Sequence, residues 1–121
     1  MLDPVVEYFG GIELTYGFAG QQLTRLISGR IAPAIDQHAA SEVNAAGKAI
    51  CGRGGAAIDF LVQFEDMREV ASWVVANCVF DRMYFYGKER PLHVSVGPHL
   101  TREVYEMVDK GGRRIPRRLS L

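Results

Sequence analysis

Three residues in the sequence, His38, Asp59 and His93, are of the types that hold a zinc ion in proteins. Two imidazoles and one carboxylate are a common protein ligand set that leaves one coordination position open for water. Asp59 lies inside an apolar, glycine- and alanine-rich run (54–62), and His93 lies inside a second strand-like run (92–96). If the three side chains converge, they form the metal site of a small metal-dependent hydrolase or of a descendant of one.

Each of these residues also has an ordinary structural explanation. An acid such as Asp59 in an apolar run needs a charged or hydrogen-bonding partner whether or not a metal binds. His93 could be a histidine on a sheet face with its hydrogen bonds satisfied, and His38 could be a helix-start histidine bonded to a carbonyl. The residue types therefore leave both interpretations open.

The helices that must position His38 can be predicted from apolar spacing and capping residues. Residues 20–28 and 37–46 are predicted helices, and Asp36 is the expected N-cap of the second one, which puts His38 in its first turn. The positive end of the helix dipole favours the neutral imidazole there, which is the form that binds metal. Residues 14–18 fit either a short strand or an extended lead-in.

Residues 56–64 give the strongest strand pattern in the chain. Alternation along this strand places Asp59 on one face together with Ala57 and Leu61. Asp66 is then the expected N-cap of a helix, because an apolar stripe with helical spacing follows it.

The remaining elements predict the class of fold. Residues 79–86 and 92–96 are predicted as paired strands joined by a hairpin-like connection at 87–91. Thr101 is the expected cap of a final helix over 102–110. The order of elements predicts an α+β fold, with a small antiparallel sheet that has its helices packed on one side.

Length and composition bound the organisation of the chain. With 121 residues, 48 % hydrophobic and 23 % charged, residues 1–121 fit a single domain, with a core of about 20–109 and a basic C-terminal tail at 110–121. A net charge of zero argues against nucleic-acid binding by the molecule as a whole. The run 110–118 holds five cations and no acid, which fits either an anion or nucleic-acid contact or a solvated tail.

Cysteine usage and targeting signals exclude further classes. Cys51 and Cys78 do not form a Cys-x-x-Cys pair, so no zinc knuckle or redox motif is present, and Cys78 is expected to be a buried small hydrophobe. The N-terminus lacks the basic and apolar regions of a secretory leader, and no apolar run is long enough for a membrane span. These features predict a cytoplasmic protein with no membrane partner.

Four short blocks occur in a specific order: Gly55-x-Ala57-x-Asp59-Phe60, Trp73, Phe80-Asp81 and Leu92-His93-Val94-Ser95-Val96. Their order and spacing resemble the zinc D-alanyl-D-alanine carboxypeptidase-like peptidases and their relatives with the Hedgehog signalling-domain fold. The resemblance covers roughly residues 23–97. It implies a Hedgehog/DD-peptidase-like fold, Zn²⁺ as cofactor, a peptide or amide substrate, and an origin in a bacterium or a phage.

The chain departs from the family pattern at the first metal ligand. The family places a histidine seven residues before the aspartate, and that position is Gly52. We interpret His38 as the displaced ligand, with an insertion of about fourteen residues before Gly55. Arg30 is similar in placement to the family arginine that holds a substrate carboxylate or polarises its carbonyl, and Arg53 is a rival for this role.

A second departure concerns the general base. The family places an acid a few residues before its last histidine, where this chain has Arg90 and Pro91. Glu89 is one step further away and is the candidate base, while Asp81 is a poorer candidate. Loss of a positioned base would lower the rate by roughly 10²–10⁴-fold.

The leading hypothesis is a zinc-dependent hydrolase of peptide or amide bonds. Its metal ligands would be His38, Asp59 and His93. Glu89 would accept the proton of the zinc-bound water, and Arg30 would hold the substrate carboxylate or stabilise the oxyanion. Two alternatives stay open: a catalytically degenerate member of the fold that binds a protein partner, and a nucleic-acid accessory protein that uses residues 110–118.

Overall fold

The computed structural model describes residues 2–16, 46, 48 and 55–121. In this part of the chain there are two helices and six strands. The helices are α1 (Leu2–Phe9) and α2 (Met67–Asn77). The strands are β1 (Ile12–Tyr16), β2 (Ala56–Val62), β3 (Arg82–Phe85), β4 (Leu92–Val96), β5 (Glu103–Lys110) and β6 (Arg113–Arg118).

The strands form one sheet in the order β1-β2-β4-β3-β5-β6. Neighbouring strands are antiparallel, except that β3 and β5 are parallel. The α+β class is therefore confirmed, but the prediction of an antiparallel sheet is wrong for the pairing of β3 with β5. The reason is that the chain leaves β4, crosses the beginning of β3 through residues 97–102, and pairs with the other edge of β3.

One face of the sheet packs against the helices and forms the core. Helix α2 contributes a stripe with helical spacing, and β2, β3 and β4 contribute alternate residues of this face. The buried side chains of this cluster include Val5, Phe60, Val62, Met67, Val70, Ala71, Val74, Met83, Leu92 and Val94. The predicted N-cap of α2 is confirmed, because Asp66 Oδ1 accepts a hydrogen bond from the Arg68 backbone N–H at 2.8 Å. Cys78, at the end of α2, is buried as predicted.

Helix α1 was not predicted, because an eight-residue helix is marginal by itself and shows only a short pattern. Contacts with α2 hold it in place. Tyr8 stacks on Trp73 with ring centroids 4.7 Å apart, and Phe9 meets the same indole edge-on at 5.5 Å. Val5, in the middle of α1, is fully buried.

The largest correction concerns the C-terminal part of the chain. The predicted helix over 102–110 is wrong, because Glu103–Lys110 forms strand β5. The predicted tail is also wrong over most of its length, because Arg113–Arg118 forms β6 and pairs with β5. Gly111 and Gly112 join the two strands, and both have positive φ angles (60° and 80°), as a tight two-residue hairpin turn requires.

The predicted strands around the candidate site are confirmed at β2, β3 and β4, including the hairpin that joins β3 to β4. Residues 14–18, for which a strand was one of two options, overlap β1. The predicted helices 20–28 and 37–46 lie outside the described residues. Neither α1 nor α2 is long and apolar enough to cross a membrane.

Candidate functional site

Asp59 and His93 lie directly opposite each other on the neighbouring strands β2 and β4. Both project from the sheet face opposite to the one that packs against α1 and α2, which we call the site face. Ala57, Tyr84 and Ser95 lie on the same face. His93 Nδ1 is 2.9 Å from Asp59 Oδ1. The imidazole is almost fully buried (3 % exposed) and the carboxylate partly exposed (24 %). The prediction that the two residues share a sheet is confirmed.

The 2.9 Å between His93 Nδ1 and Asp59 Oδ1 is a hydrogen-bond distance. Imidazole nitrogen and carboxylate oxygen are also donor types that zinc binds in proteins. The third candidate ligand, His38, lies outside the described residues. Within the described residues, no group of three or more histidine, cysteine, aspartate or glutamate side chains is placed to hold a metal.

The Tyr84 ring packs against the His93 ring. The two residues are opposite each other on β3 and β4, and their ring centroids are 5.2 Å apart in an edge-to-face arrangement. Burial raises the pKa of Tyr84, while the nearby Arg82 guanidinium acts in the opposite direction. The phenol therefore stays neutral at physiological pH, next to the imidazole.

A partly buried ion pair lies beside Tyr84 on the same face. Arg82 Nε donates to Glu103 Oε2 at 2.8 Å, across the parallel strands β3 and β5. Burial acts to lower the pKa of Arg82, but the interactions with Glu103 and Tyr84 together raise it above its usual value. Ser95 is fully buried, and its hydroxyl accepts a hydrogen bond from the Arg82 backbone N–H at 3.1 Å.

The site pair belongs to a row of residues that crosses the whole sheet. In backbone register, each member of this row is paired with the next one on the neighbouring strand: Tyr16, Asp59, His93, Tyr84, Tyr105 and Arg118. Tyr105 stacks on Tyr84 with centroids 5.4 Å apart, and the Arg118 guanidinium lies 5.3 Å from the Tyr105 ring centroid. The imidazole, the two phenols and the guanidinium are therefore in contact one after another.

Sequence reasoning missed the outer part of this row, because it placed Tyr105 in a helix and Arg118 in a tail. The pair Gly111-Gly112 is the signal that could have found β5 and β6, because two glycines between β-compatible segments favour a tight hairpin. The register of that hairpin then places Tyr105 opposite Arg118.

Asp81, the poorer candidate for the base, has a structural role. It is fully buried at the beginning of β3, and its Oδ1 accepts hydrogen bonds from the Thr101 hydroxyl at 2.7 Å and the Thr101 backbone N–H at 3.1 Å. Thr101 therefore anchors the crossing between β4 and β5 and does not cap a helix. These contacts hold the 97–102 segment over the end of the sheet.

Glu89, the preferred candidate for the base, is exposed in the turn between β3 and β4. It lines a groove of about 500 Å³ together with Glu13, Phe64 and Lys88. Neither Asp59 nor His93 is among the described residues that line this groove. The structure thus brings Asp59 and His93 together and places Glu89 in a groove that neither of them lines. Arg30 and Arg53 lie outside the described residues.

Comparison of this chain with protein-family models, with curated proteins and with solved structures finds no match.

Proposed function

We propose that this chain is a zinc-dependent hydrolase of peptide or amide bonds, with a site and a fold similar to those of the D,D-carboxypeptidases and their Hedgehog-type relatives. The observation that carries the proposal is the Asp59–His93 pair, whose side chains meet at 2.9 Å on the sheet face opposite to α1 and α2. A buried imidazole and a carboxylate in an otherwise apolar strand are expensive to desolvate, which favours a role for both.

In this proposal His38, Asp59 and His93 hold the metal. Zinc, when bound, lowers the pKa of a coordinated water and polarises the scissile carbonyl. Antiparallel pairing of β2 with β4 fixes the spacing of Asp59 and His93, and contact with Tyr84 fixes the ring plane of His93. Arg30 binds the carboxylate or the carbonyl of the substrate, with Arg53 as the alternative.

A second candidate function is a metal-binding module without hydrolytic activity that binds a protein partner. The position of Glu89 favours it, because this acid is exposed in a turn and lines a groove away from the Asp59–His93 pair. A water at the pair then has no carboxylate from this turn to accept its proton. Hydrolysis by the zinc-loaded protein separates the two functions, since both bind metal and only the first one cleaves a peptide.

Metal content tests the proposal directly. We expect close to one zinc per chain in the wild type, measured by mass spectrometry after reconstitution and dialysis, and loss of that zinc in His38→Ala and His93→Ala. His99→Ala is the matched control, because His99 is exposed in the loop after β4 and removing it should leave the zinc in place. Circular dichroism checks that each variant is folded.

The possible results distinguish the hydrolase from the second candidate and from a protein without this metal site. Zinc retained in His93→Ala, or absent from the reconstituted wild type, contradicts the proposed metal site. Zinc bound as expected, with chelator-sensitive cleavage of a peptide that ends in D-Ala-D-Ala, supports the hydrolase. Zinc bound with no cleavage supports the second candidate.

A further inference from the structure

We propose that two copies of this chain form a symmetric dimer through one end of the sheet. At that end an acidic groove on one side of the sheet receives the basic tip of the β5–β6 hairpin of the partner copy, and the same contact is repeated by symmetry. Asp59 and His93 belong to neither surface, so the inference goes beyond the proposed function and does not depend on it.

The groove lies where β2 ends and where β3 turns back into β4. Its volume is about 500 Å³, and its lining includes one cation and four acids, Lys88, Glu13, Glu65, Asp66 and Glu89. Lys88 forms an ion pair with Asp66 at 3.6 Å. The other three acids are exposed, and within the described part of the chain none of them forms an ion pair. The groove therefore carries negative charge that a cationic partner can neutralise.

An exposed aromatic side chain lines the same groove. Phe64 is fully exposed, so the described chain buries no part of its ring. A single exposed apolar residue is ordinary, but an aromatic ring among polar groups is also the combination found at protein interfaces, where a few aromatic residues carry much of the binding energy. A second chain seated in the groove would bury this ring.

The complementary surface is the tip of the β5–β6 hairpin, residues 109–114. Strand β5 continues for four residues beyond Glu106, the last residue that pairs with β3, and this continuation pairs with β6. Every residue of the tip is exposed. The tip is thus a two-stranded ribbon that extends past the pairing with β3, a shape that can enter a groove on another molecule.

The tip has the opposite charge to the groove. It carries three cations and one acid, Lys110, Arg113, Arg114 and Asp109. The acid lies 3.9 Å from Arg114. For Lys110 and Arg113, the residues that the structure describes supply no ion pair. Two cations of the tip are therefore open to the acids of a partner copy.

Both surfaces lie at the same end of the sheet, on opposite sides of its middle. The central strands are β4 and β3, and the turn 87–91 joins them at this end. The groove is lined from β1, β2 and this turn, whereas the tip extends β5 and β6. At about 4.8 Å for each strand, β2 and the β5–β6 hairpin lie roughly 7 Å and 10 Å from the middle.

This arrangement is self-complementary. Because the two surfaces are at similar distances from the middle, a two-fold axis near the turn 87–91 places each groove opposite the tip of the other copy. Such a contact pairs acids with cations twice and closes after two chains. The net charge of zero adds no overall repulsion between the copies.

Sedimentation equilibrium measures the dimer directly. We expect the wild type to dimerise with a micromolar dissociation constant, which rises at least about fivefold between roughly 50 mM and 500 mM salt because exposed ion pairs are screened. Phe64→Ala should weaken the dimer by about tenfold. A wild type that stays monomeric up to about 1 mM, or a dimer that neither salt nor Phe64→Ala weakens, would overturn the inference.

Reversal of the charges gives a sharper test. Glu13→Lys/Glu65→Lys makes the groove basic, and Lys110→Glu/Arg113→Glu makes the tip acidic. Each variant alone brings like charges together at both contacts and should lose dimerisation. An equimolar mixture should form a heterodimer about as tight as the wild-type dimer, because every groove again meets a tip of opposite charge. Variants that dimerise alone, or that stay monomeric when mixed, contradict the proposed contact.

Asp3→Lys/Glu7→Lys is the matched control. It makes the same change of charge as the groove variant on exposed residues of α1, and neither residue is among those that line the groove, so its dimer should match that of the wild type. An equal loss of dimer in this control would show that net charge, and not the groove, decides association. Circular dichroism at protein concentrations below the dissociation constant checks that each variant is folded as a monomer.

The size and the ligand of the wild type give the last two outcomes. Assembly beyond a dimer contradicts the two-fold arrangement. Salt-sensitive binding of a single-stranded oligonucleotide by a monomeric wild type, lost in Lys110→Glu/Arg113→Glu, would replace the second copy with nucleic acid as the partner of the tip.

Discussion

Phe64 combines two unfavourable features in the turn between β2 and α2. Its side chain is fully exposed (102 %), and its φ angle is 65°, in the left-handed region. The backbone N–H of Glu65 donates to the Val62 carbonyl at 3.4 Å, so Phe64 occupies the third position of a turn that favours glycine. The residue therefore strains the backbone without a buried contact in return.

Phe64→Gly is expected to stabilise the protein. Removing the left-handed strain should outweigh the greater freedom of glycine in the unfolded chain and raise the free energy of unfolding by about 0.5–1 kcal/mol. Urea denaturation measures the change. Phe64→Ala is the control, because it removes the aromatic ring and keeps the strain, so its stability should stay near that of the wild type. A Phe64→Gly protein less stable than Phe64→Ala would contradict this explanation.

At the same scale, Asp59 shows why an acid can lie in an apolar strand. Directly opposite it stands His93, which meets the carboxylate at 2.9 Å, so the acid has a polar partner in place. The need for a partner could be predicted from the sequence, and so could the presence of both residues on one sheet. The contacts of Tyr84 with both His93 and Tyr105 could not, because they depend on the pairing of β3 with two strands.

At the scale of elements, the predictions succeed where one pattern dominates. Strand β2 is an apolar run interrupted only by Asp59, and α2 buries Met67, Val70, Ala71 and Val74 at helical spacing. They fail at β5, where Val104, Met107 and Val108 have the spacing of a helical stripe. This segment is a strand because it pairs with β3 along one edge and with β6 along the other, and these strands satisfy its backbone hydrogen bonds.

Gly55 controls how closely β2 approaches the end of β4. A Cβ atom at this position would lie 2.0 Å from the Val96 carbonyl oxygen and 2.7 Å from the Gly97 Cα. Since both of these are backbone atoms, a side-chain rotation cannot relieve the overlap. Moving the strands apart would disturb the register that places Asp59 opposite His93.

Gly55→Ala is therefore expected to lower the free energy of unfolding by more than about 3 kcal/mol, from left-handed strain and overpacking together. Gly10→Ala is the matched control, because Gly10 has nearly the same φ angle (90° against 91°) and open space around its Cβ position. The control should show the strain alone, about 1–2 kcal/mol. Urea denaturation of both variants measures the difference, and equal losses would show that the close approach to Val96 is unimportant.

At the scale of the whole molecule, the chain order and the spatial order of the strands differ. The sheet places β4 between β2 and β3, so the His93 strand is central and pairs with both the Asp59 strand and the Tyr84 strand. The antiparallel pairing of β3 with β4 follows from their short connection, and this part could be predicted. The parallel pairing of β3 with β5 depends on the crossing held by Asp81 and Thr101, which leaves no clear pattern in the sequence.

The position of β6 at the edge of the sheet gives the last prediction. A solvated tail could be removed without loss, but β6 pairs with β5 along its length. Beyond it, the Leu119 backbone N–H donates to the Val104 carbonyl at 3.0 Å, and the Leu119 side chain packs against the core. Deleting residues 111–121 should therefore lower the free energy of unfolding by at least about 2–3 kcal/mol, the contribution expected from one buried leucine and several strand hydrogen bonds.

Deleting residues 120–121 is the control, since it leaves both β6 and Leu119 in place and should have little effect on stability. The midpoint of urea unfolding, compared among the wild type and the two truncated chains, measures the contribution of the strand. Loss of β6 also exposes the edge of β5, so the longer deletion should aggregate more readily at high protein concentration. If the longer deletion were as stable as the wild type, pairing with β3 alone would be enough to hold β5 in the sheet. The contact between Arg118 and Tyr105 would then contribute nothing to the stability of the fold.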